Sequence, residues 1–350
     1  MKKFTPDYKN LEDAAYNRKP KRTPLYEHLV SADIMERLTG RKFCRYYSGD
    51  KPDYDAFFKE FDRFFPEYGY DTVTYEGCIT EILPGGGALG GHKKGAIDGA
   101  KAFENYPFNQ ALYFYIDRFK PRFDALKRNM PDGMKAVGGV GNGVFEIAQD
   151  LTGYENLCVM SYDEPEVFTA LFKKIGDLME GIWKWFLSEY KDTFCVMRFG
   201  DDLGYKSNTL LPHEDVKKLV LPQYKRIVNL VHSYNKPFLL HSCGCIFDVM
   251  DDVIATGINS KHSNEDQIAE FKVWVERYGS RIGNFGGVDT DHLVRMDDDK
   301  LKALVTGVYK LAQDKKGGIA IGSGNSIPDY VNEKKYALMI NTVRTLRGDF

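Results

Sequence analysis

The chain has 350 residues, 43% of them hydrophobic and 28% charged, and 48 Lys+Arg against 50 Asp+Glu leave a net charge of -2. That is ample material for a packed core, so an intrinsically disordered or low-complexity chain is excluded. Without a basic surplus or a basic block it does not read as a nucleic-acid binder, and its longest apolar runs, such as 111–116, fall far short of the roughly 18 residues that cross a bilayer.

The amino terminus, MKKFTPDYKN, has two lysines but no apolar stretch behind them. It is not a secretory signal, and the expected location is cytoplasmic. The six cysteines are too sparse for a disulfide framework, which leaves thiols free for metal binding or catalysis. Strand-like runs fall at 23–29, 72–76, 136–140, 195–199, 238–241, 258–262, 282–288 and 319–322. Between them lie helical stripes, one through Phe168, Leu171, Phe172, Ile175, Leu178 and Ile182 and another from Val216 to Val231, opened by Pro212. Strands alternating with helices predict a parallel sheet, and eight is the number that closes a (β/α)8 TIM barrel. The expectation is therefore one α/β barrel domain over 1–350, with 1–20 as an N-terminal helical extension and 77–135 as an insertion after the second strand. An open doubly wound sheet is the alternative. The insertion contains LPGGGALGGHKKG (83–95), which lacks the spacing of a phosphate loop and reads as a lid or a close turn.

Polar residues gather where the strands end: Glu76, Asn142 with Glu146, Asp201 with Asp202, His241 with Cys243, His262 with Glu265, Asp289, and Ser323 with Asn325. Any one of these could be a loop cap, but barrel enzymes place their reactive groups at that rim. Leu239-Leu240-His241-Ser242-Cys243-Gly244-Cys245 is the sharpest pattern. Side chains alternate along a strand, so His241 and Cys243 share a face while Ser242 points away. Imidazole nitrogen and thiolate sulfur are ligands that zinc favours. Of the adjacent acids Asp201 and Asp202, one can enter a pocket and hold a proton, a metal or a substrate hydroxyl, unless it caps a turn. Asn142, Glu146 and Asn325 are the expected substrate contacts.

FGDDLGYKS (199–207), LLHSCG (239–244), GINSKHSNED (257–266), IGNFGGVD (282–289) and GSGNSIPDYV (322–331) together resemble the uroporphyrinogen decarboxylase superfamily over nearly the whole chain. That resemblance implies a (β/α)8 barrel. Its decarboxylases carry paired arginines after the first strand, where this chain reads PLYEHLVSAD (24–33), and an essential Asp where it reads TVTYEGCIT (72–80). Porphyrinogen carboxylates thus lack a counter-charge here. The closer likeness is to the corrinoid-dependent methyltransferases. It implies zinc bound at His241 and Cys243, a small methoxylated or methylated substrate, Asp201 or Asp202 as proton donor, and a partner protein carrying the corrinoid. The second cysteine of that zinc motif is absent, with Ser323 in its place. Glu76 is the first candidate for the missing ligand, and Cys245 and Glu265 follow. A metal-independent decarboxylase of a small or porphyrinogen acid is the alternative, and a non-catalytic binding barrel a third reading.

Overall fold

In the computed structural model, which describes residues 4–91 and 93–350, seven of the eight strand-like runs are strands. They are β1 (Val73–Cys78), β2 (Ala136–Gly141), β3 (Phe194–Gly200), β4 (Phe238–His241), β5 (Ser260–His262), β6 (Gly283–Val288) and β7 (Ile319–Ser323). They pair in chain order, and every pair is parallel. Parallel neighbours need a long crossover, and helices supply it. Covered on both faces, the strands read as continuous apolar runs rather than alternating ones. β2 to β7 are buried at every residue. The sequential order excludes the doubly wound alternative, whose strand order reverses at a switch point. The sheet curls in the manner of a TIM-like barrel.

The run expected as the first strand does not form a regular one. It lies against β7 through a parallel bridge at Leu25–Ile321 and against the segment after β7 through another at Val30–Ile327. Tyr26 N–H donates to the Ile321 carbonyl and Ile321 N–H to the Pro24 carbonyl, both at 2.9 Å. Pro24 has no N–H of its own to extend this ladder. Towards β1 the link is a side chain, the Thr74 hydroxyl donating to the Glu27 carbonyl at 3.0 Å.

Within the expected N-terminal extension, the helix Lys9–Ala15 buries Leu11, Ala14 and Ala15 against Tyr26, Val137, Val196, Leu239, Phe285 and Ala320. This small core fills the end of the sheet away from the polar rim. The larger core lies between the sheet and the outer helices. The stretch 77–135 differs from the expected excursion. Its helix Ala111–Asn129 packs on the helices Tyr54–Glu67 and Pro165–Tyr190, so it supplies the β1–β2 crossover. Its glycine-rich loop folds back on Asp150, whose Oδ1 accepts from Gly87 N–H (2.9 Å) and Leu89 N–H (3.4 Å). Among the described residues no helix is long and apolar enough to cross a membrane.

Candidate functional site

Register brings the site together. Gly200 of β3 stands opposite His241 of β4, and His241 opposite His262 of β5. Residues distant in sequence thus become neighbours at one end of the sheet. The loops after β3 and β4 then meet back to back. A Cβ on Gly244, whose φ is 80°, would lie 2.1 Å from the Gly204 carbonyl carbon, so glycine alone lets the two loops touch. That contact sets Asp202 beside Cys243.

His241 and Cys243 do share a face: Cys243 Sγ lies 3.3 Å from His241 Nε2. Ser242 points away, and its Oγ accepts from Leu203 N–H at 3.3 Å. Asp202 Oδ1 accepts from the Cys243 N–H at 2.9 Å and lies 3.7 Å from His241 Nε2. Asp202, His241 and Cys243 therefore offer one ligand atom each within 4.8 Å of one another. Asn325 Nδ2 donates to Cys243 Sγ (3.2 Å), as does Ser263 Oγ (3.5 Å).

The state of His241 follows from its partners. His262 Nε2 lies 2.9 Å from the Ser323 carbonyl, which can only accept, so that nitrogen carries a proton. Burial pulls the pKa of His262 down to about 3, so the ring is neutral and its Nδ1 is an acceptor. His241 Nδ1, 2.8 Å away, must then be the donor. Burial, with His262 alongside, holds His241 neutral as well. Its Nε2 is thus an acceptor lone pair that faces the Cys243 sulfur and Asp202.

The other expected residues divide. Glu76 is not in the ligand group. It accepts two hydrogen bonds from the fully buried Arg198, at 2.6 and 3.2 Å, and its Oε1 is 4.0 Å from His28 Nε2. A guanidinium inside the sheet needs that carboxylate, which the sequence alone did not reveal. Cys245 and Glu265 also stand outside the group; Glu265 Oε1 accepts from Gly244 N–H at 3.3 Å. Asp201 is fully buried and turned away from the rim. It accepts from Phe145 N–H (3.0 Å), Glu146 N–H (2.7 Å) and the Tyr224 hydroxyl (2.6 Å), and so caps the helix Val144–Thr152 from another strand. The helix has no side-chain cap of its own, because a Cβ at Gly143 would sit 2.2 Å from Asp201 Cβ. Asp201→Ala should cost roughly 2–4 kcal/mol by leaving two buried N–H groups unpaired, read as a lowered Tm; an unchanged Tm would contradict the capping role.

Asn142, in the left-handed region at φ 66°, is spent on structure. Its Oδ1 accepts from Thr80 N–H (3.2 Å) and Thr80 Oγ1 (2.9 Å), and its Nδ2 donates to Glu146 Oε2 (2.8 Å). Glu146 Oε1 accepts from Asp202 N–H at 3.3 Å. Burial, with Asp202 and Asp201 close by, pushes the Glu146 carboxyl well above its ordinary range. Around the bare face of Gly200 stand His241 Cδ2, Glu146 Oε1 and His28 Cε1, at 3.4, 3.9 and 3.9 Å from where a Cβ would be. Of the residues expected in one pocket, Asp202, His241, Cys243 and Asn325 form one contact group, which Glu146 joins through the Asp202 N–H, with Asn142 behind Glu146. Asp201 lies outside it, and Glu76 lines a neighbouring cavity.

Besides Arg198, two residues were missed. His28 stacks on His241 with ring centroids 3.7 Å apart, and its buried Nδ1 has no hydrogen-bond partner. Glu27, fully buried, accepts from Ser323 N–H at 3.1 Å and pairs with the Ser323 hydroxyl. Burial raises its pKa to about 8. The signal was present but faint: two polar residues inside the apolar run Leu25-Tyr-Glu-His-Leu-Val30.

Beside the site is a cavity of about 390 Å³, between the segment 29–33 and β1, with Tyr47, Phe57, Phe61 and Tyr75 on its walls and Glu76 and Cys78 among its lining.

The fold is shared with a solved structure. A methyltransferase from Methanosarcina mazei superposes with a TM-score of 0.69 at 15% identity, over 96% of this chain and 98% of that one. PbGH5A, a glycoside hydrolase family 5 enzyme from Prevotella bryantii B14, gives a TM-score of 0.48 at 10% identity, over 98% and 99%. No curated protein sequence matches the chain. The family model for uroporphyrinogen decarboxylase (URO-D) matches residues 109–346, well over half the chain and including every strand from β2 to β7. The chain belongs to the uroporphyrinogen decarboxylase family.

Proposed function

We propose that the chain is a methyltransferase that moves a methyl group from a small methylated or methoxylated substrate to a corrinoid carried by a separate protein, with zinc held at His241 and Cys243. The observation that carries this reading is the oriented lone pair of His241 beside the Cys243 sulfur. A tetrahedral zinc with bonds of about 2.0 Å to nitrogen and 2.3 Å to sulfur sets those atoms roughly 3.5 Å apart. They stand 3.3 Å apart. The His262–Ser323 pair is the kind of outer support that fixes a ligand histidine, and the fold likeness to a methyltransferase agrees with it. The eighth stave of the barrel, on this reading, is the irregular segment 24–30.

Zinc bound there supplies Lewis-acid stabilisation of the charge that develops on a leaving oxygen. The protein's own groups do the rest. Burial and then Asp202 push the Cys243 thiol up; the hydrogen bonds that Ser263 and Asn325 donate to its sulfur work against that, and a bound cation would complete the shift to thiolate. Glu146, whose carboxyl burial pushes above its ordinary range and which Asn142 holds, is the group we assign to protonate the departing oxygen. Asp202 remains available at the rim. The aromatic cavity receives the body of the methyl donor, since pockets of this size and lining suit small organic ligands. Among the described residues no Lys or Arg side chain lines it, while Asp33, Glu76 and Glu81 do, so these offer a polycarboxylate no counter-charge.

Filling this cavity tests its role. Ala32 is on its wall. Ala32→Phe should raise KM for the donor by roughly tenfold or more while leaving kcat and zinc content near wild type. An unchanged KM would remove the cavity from the substrate path.

A further inference from the structure

We propose that Asp202 is the third protein ligand of the metal, completing a mixed nitrogen, sulfur and oxygen set with His241 and Cys243, while Ser323 has become a strut instead of a ligand. The inference deepens the zinc reading above and rests on it.

Three observations carry it. First, Asp202 Oδ1 is fixed by the Cys243 N–H at 2.9 Å and faces the same His241 nitrogen as the Cys243 sulfur does. The touching loops at Gly204 and Gly244 hold that approach. Second, the polar atoms of Ser323 are all occupied. Its hydroxyl pairs with Glu27 Oε2 and with the Asn325 carbonyl, its N–H points at the Glu27 carboxyl, and its carbonyl takes His262. Glu27 is braced in turn by the Tyr70 hydroxyl at 3.5 Å, which bonds Tyr336 at 2.7 Å. The position that would carry a sulfur ligand therefore orients His262 from behind. Third, Glu76, whose Oε1 is 4.0 Å from His28 Nε2, is committed to Arg198.

The asymmetry of burial gives the arrangement a direction. The His241 side chain is 5% exposed and that of Asp202 44%. The oxygen ligand would thus lie on the open side of the group, where a catalytic zinc would keep a position free for substrate. An oxygen in place of a second thiolate also leaves the ion less electron-rich, which suits polarising a leaving oxygen more than binding a thiol.

Zinc binding and X-ray absorption of the zinc-loaded full-length chain test the assignment independently of any methyl donor. The expected spectrum has one sulfur neighbour, with nitrogen and oxygen for the rest. Asp202→Ala should weaken zinc by more than about a hundredfold, the upper range for a residue that only orients a ligand. Cys245→Ser should bind as wild type does. Two sulfur neighbours, no zinc uptake, or wild-type affinity in Asp202→Ala would overturn the proposal. Should Asp202→Ala fail to fold, the sulfur count of the wild type decides. A chain that shows this ligand set but methylates no corrinoid would sink the methyl-transfer reading alone; one that transfers methyl groups with two sulfurs on zinc would sink the ligand assignment alone.

Discussion

Purified wild-type protein should hold close to one equivalent of zinc, and His241→Ala and Cys243→Ala should each hold essentially none. Each substitution removes a direct ligand from a set of few, so no partial occupancy is expected at micromolar protein. His262→Ala should behave differently. It leaves both ligands in place but removes the group that fixes the His241 tautomer, and a loss of about 10- to 100-fold in affinity is expected. Metal analysis after dialysis separates the three variants. Full zinc in Cys243→Ala would show that the metal, where bound, sits elsewhere.

Glu146→Gln should lower kcat for a methyl ether by roughly 10²- to 10⁴-fold, the usual span for a positioned acid. Zinc content should not change, because Glu146 is not in the ligand group. The size of the loss should depend on the leaving group. A donor that releases an acidic phenol needs little help from a proton and should be affected least; one that releases an alkoxide should be affected most. Equal losses across such a series would show that Glu146 positions the substrate and gives it no proton. The Gln side chain can still accept from the Asp202 N–H and so support the loop after β3, but its NH2 then faces the Asn142 Nδ2, and that one hydrogen bond is lost.

Much of this architecture was legible in the residues. Seven runs became strands because a parallel sheet covered on both faces demands continuous apolar stretches, and few other segments of the chain have them. The run at 23–29 was misjudged as regular because propensity does not see Pro24 or the lack of a ladder towards β1. The pairing of His241 with Cys243 was legible for the simplest reason, the two-residue period of an extended chain. The division of the acids was not. Asp201 and Asp202 look alike in sequence, yet one is fully buried as a helix cap and the other stands at the metal group. Which does which depends on the entry of the helix Val144–Thr152, a contact between residues some 55 apart. Glu76 was set aside from ligand duty by Arg198, 122 positions away. Ser323 read as a missing ligand; the structure gives it work through Glu27 and His262, both invisible as partners until the strands are aligned.

The central claim is methyl transfer, and the most direct measurement offers the zinc-loaded protein a reduced corrinoid, free or on its carrier protein, with a panel of aryl methyl ethers, methanol and methylamines. Absorbance then follows the methylated corrinoid. At least one donor should react, the rate should fall to background in Cys243→Ala, and uroporphyrinogen should remain unchanged. If no donor reacts while uroporphyrinogen is converted to coproporphyrinogen, the chain is a decarboxylase and the account is contradicted.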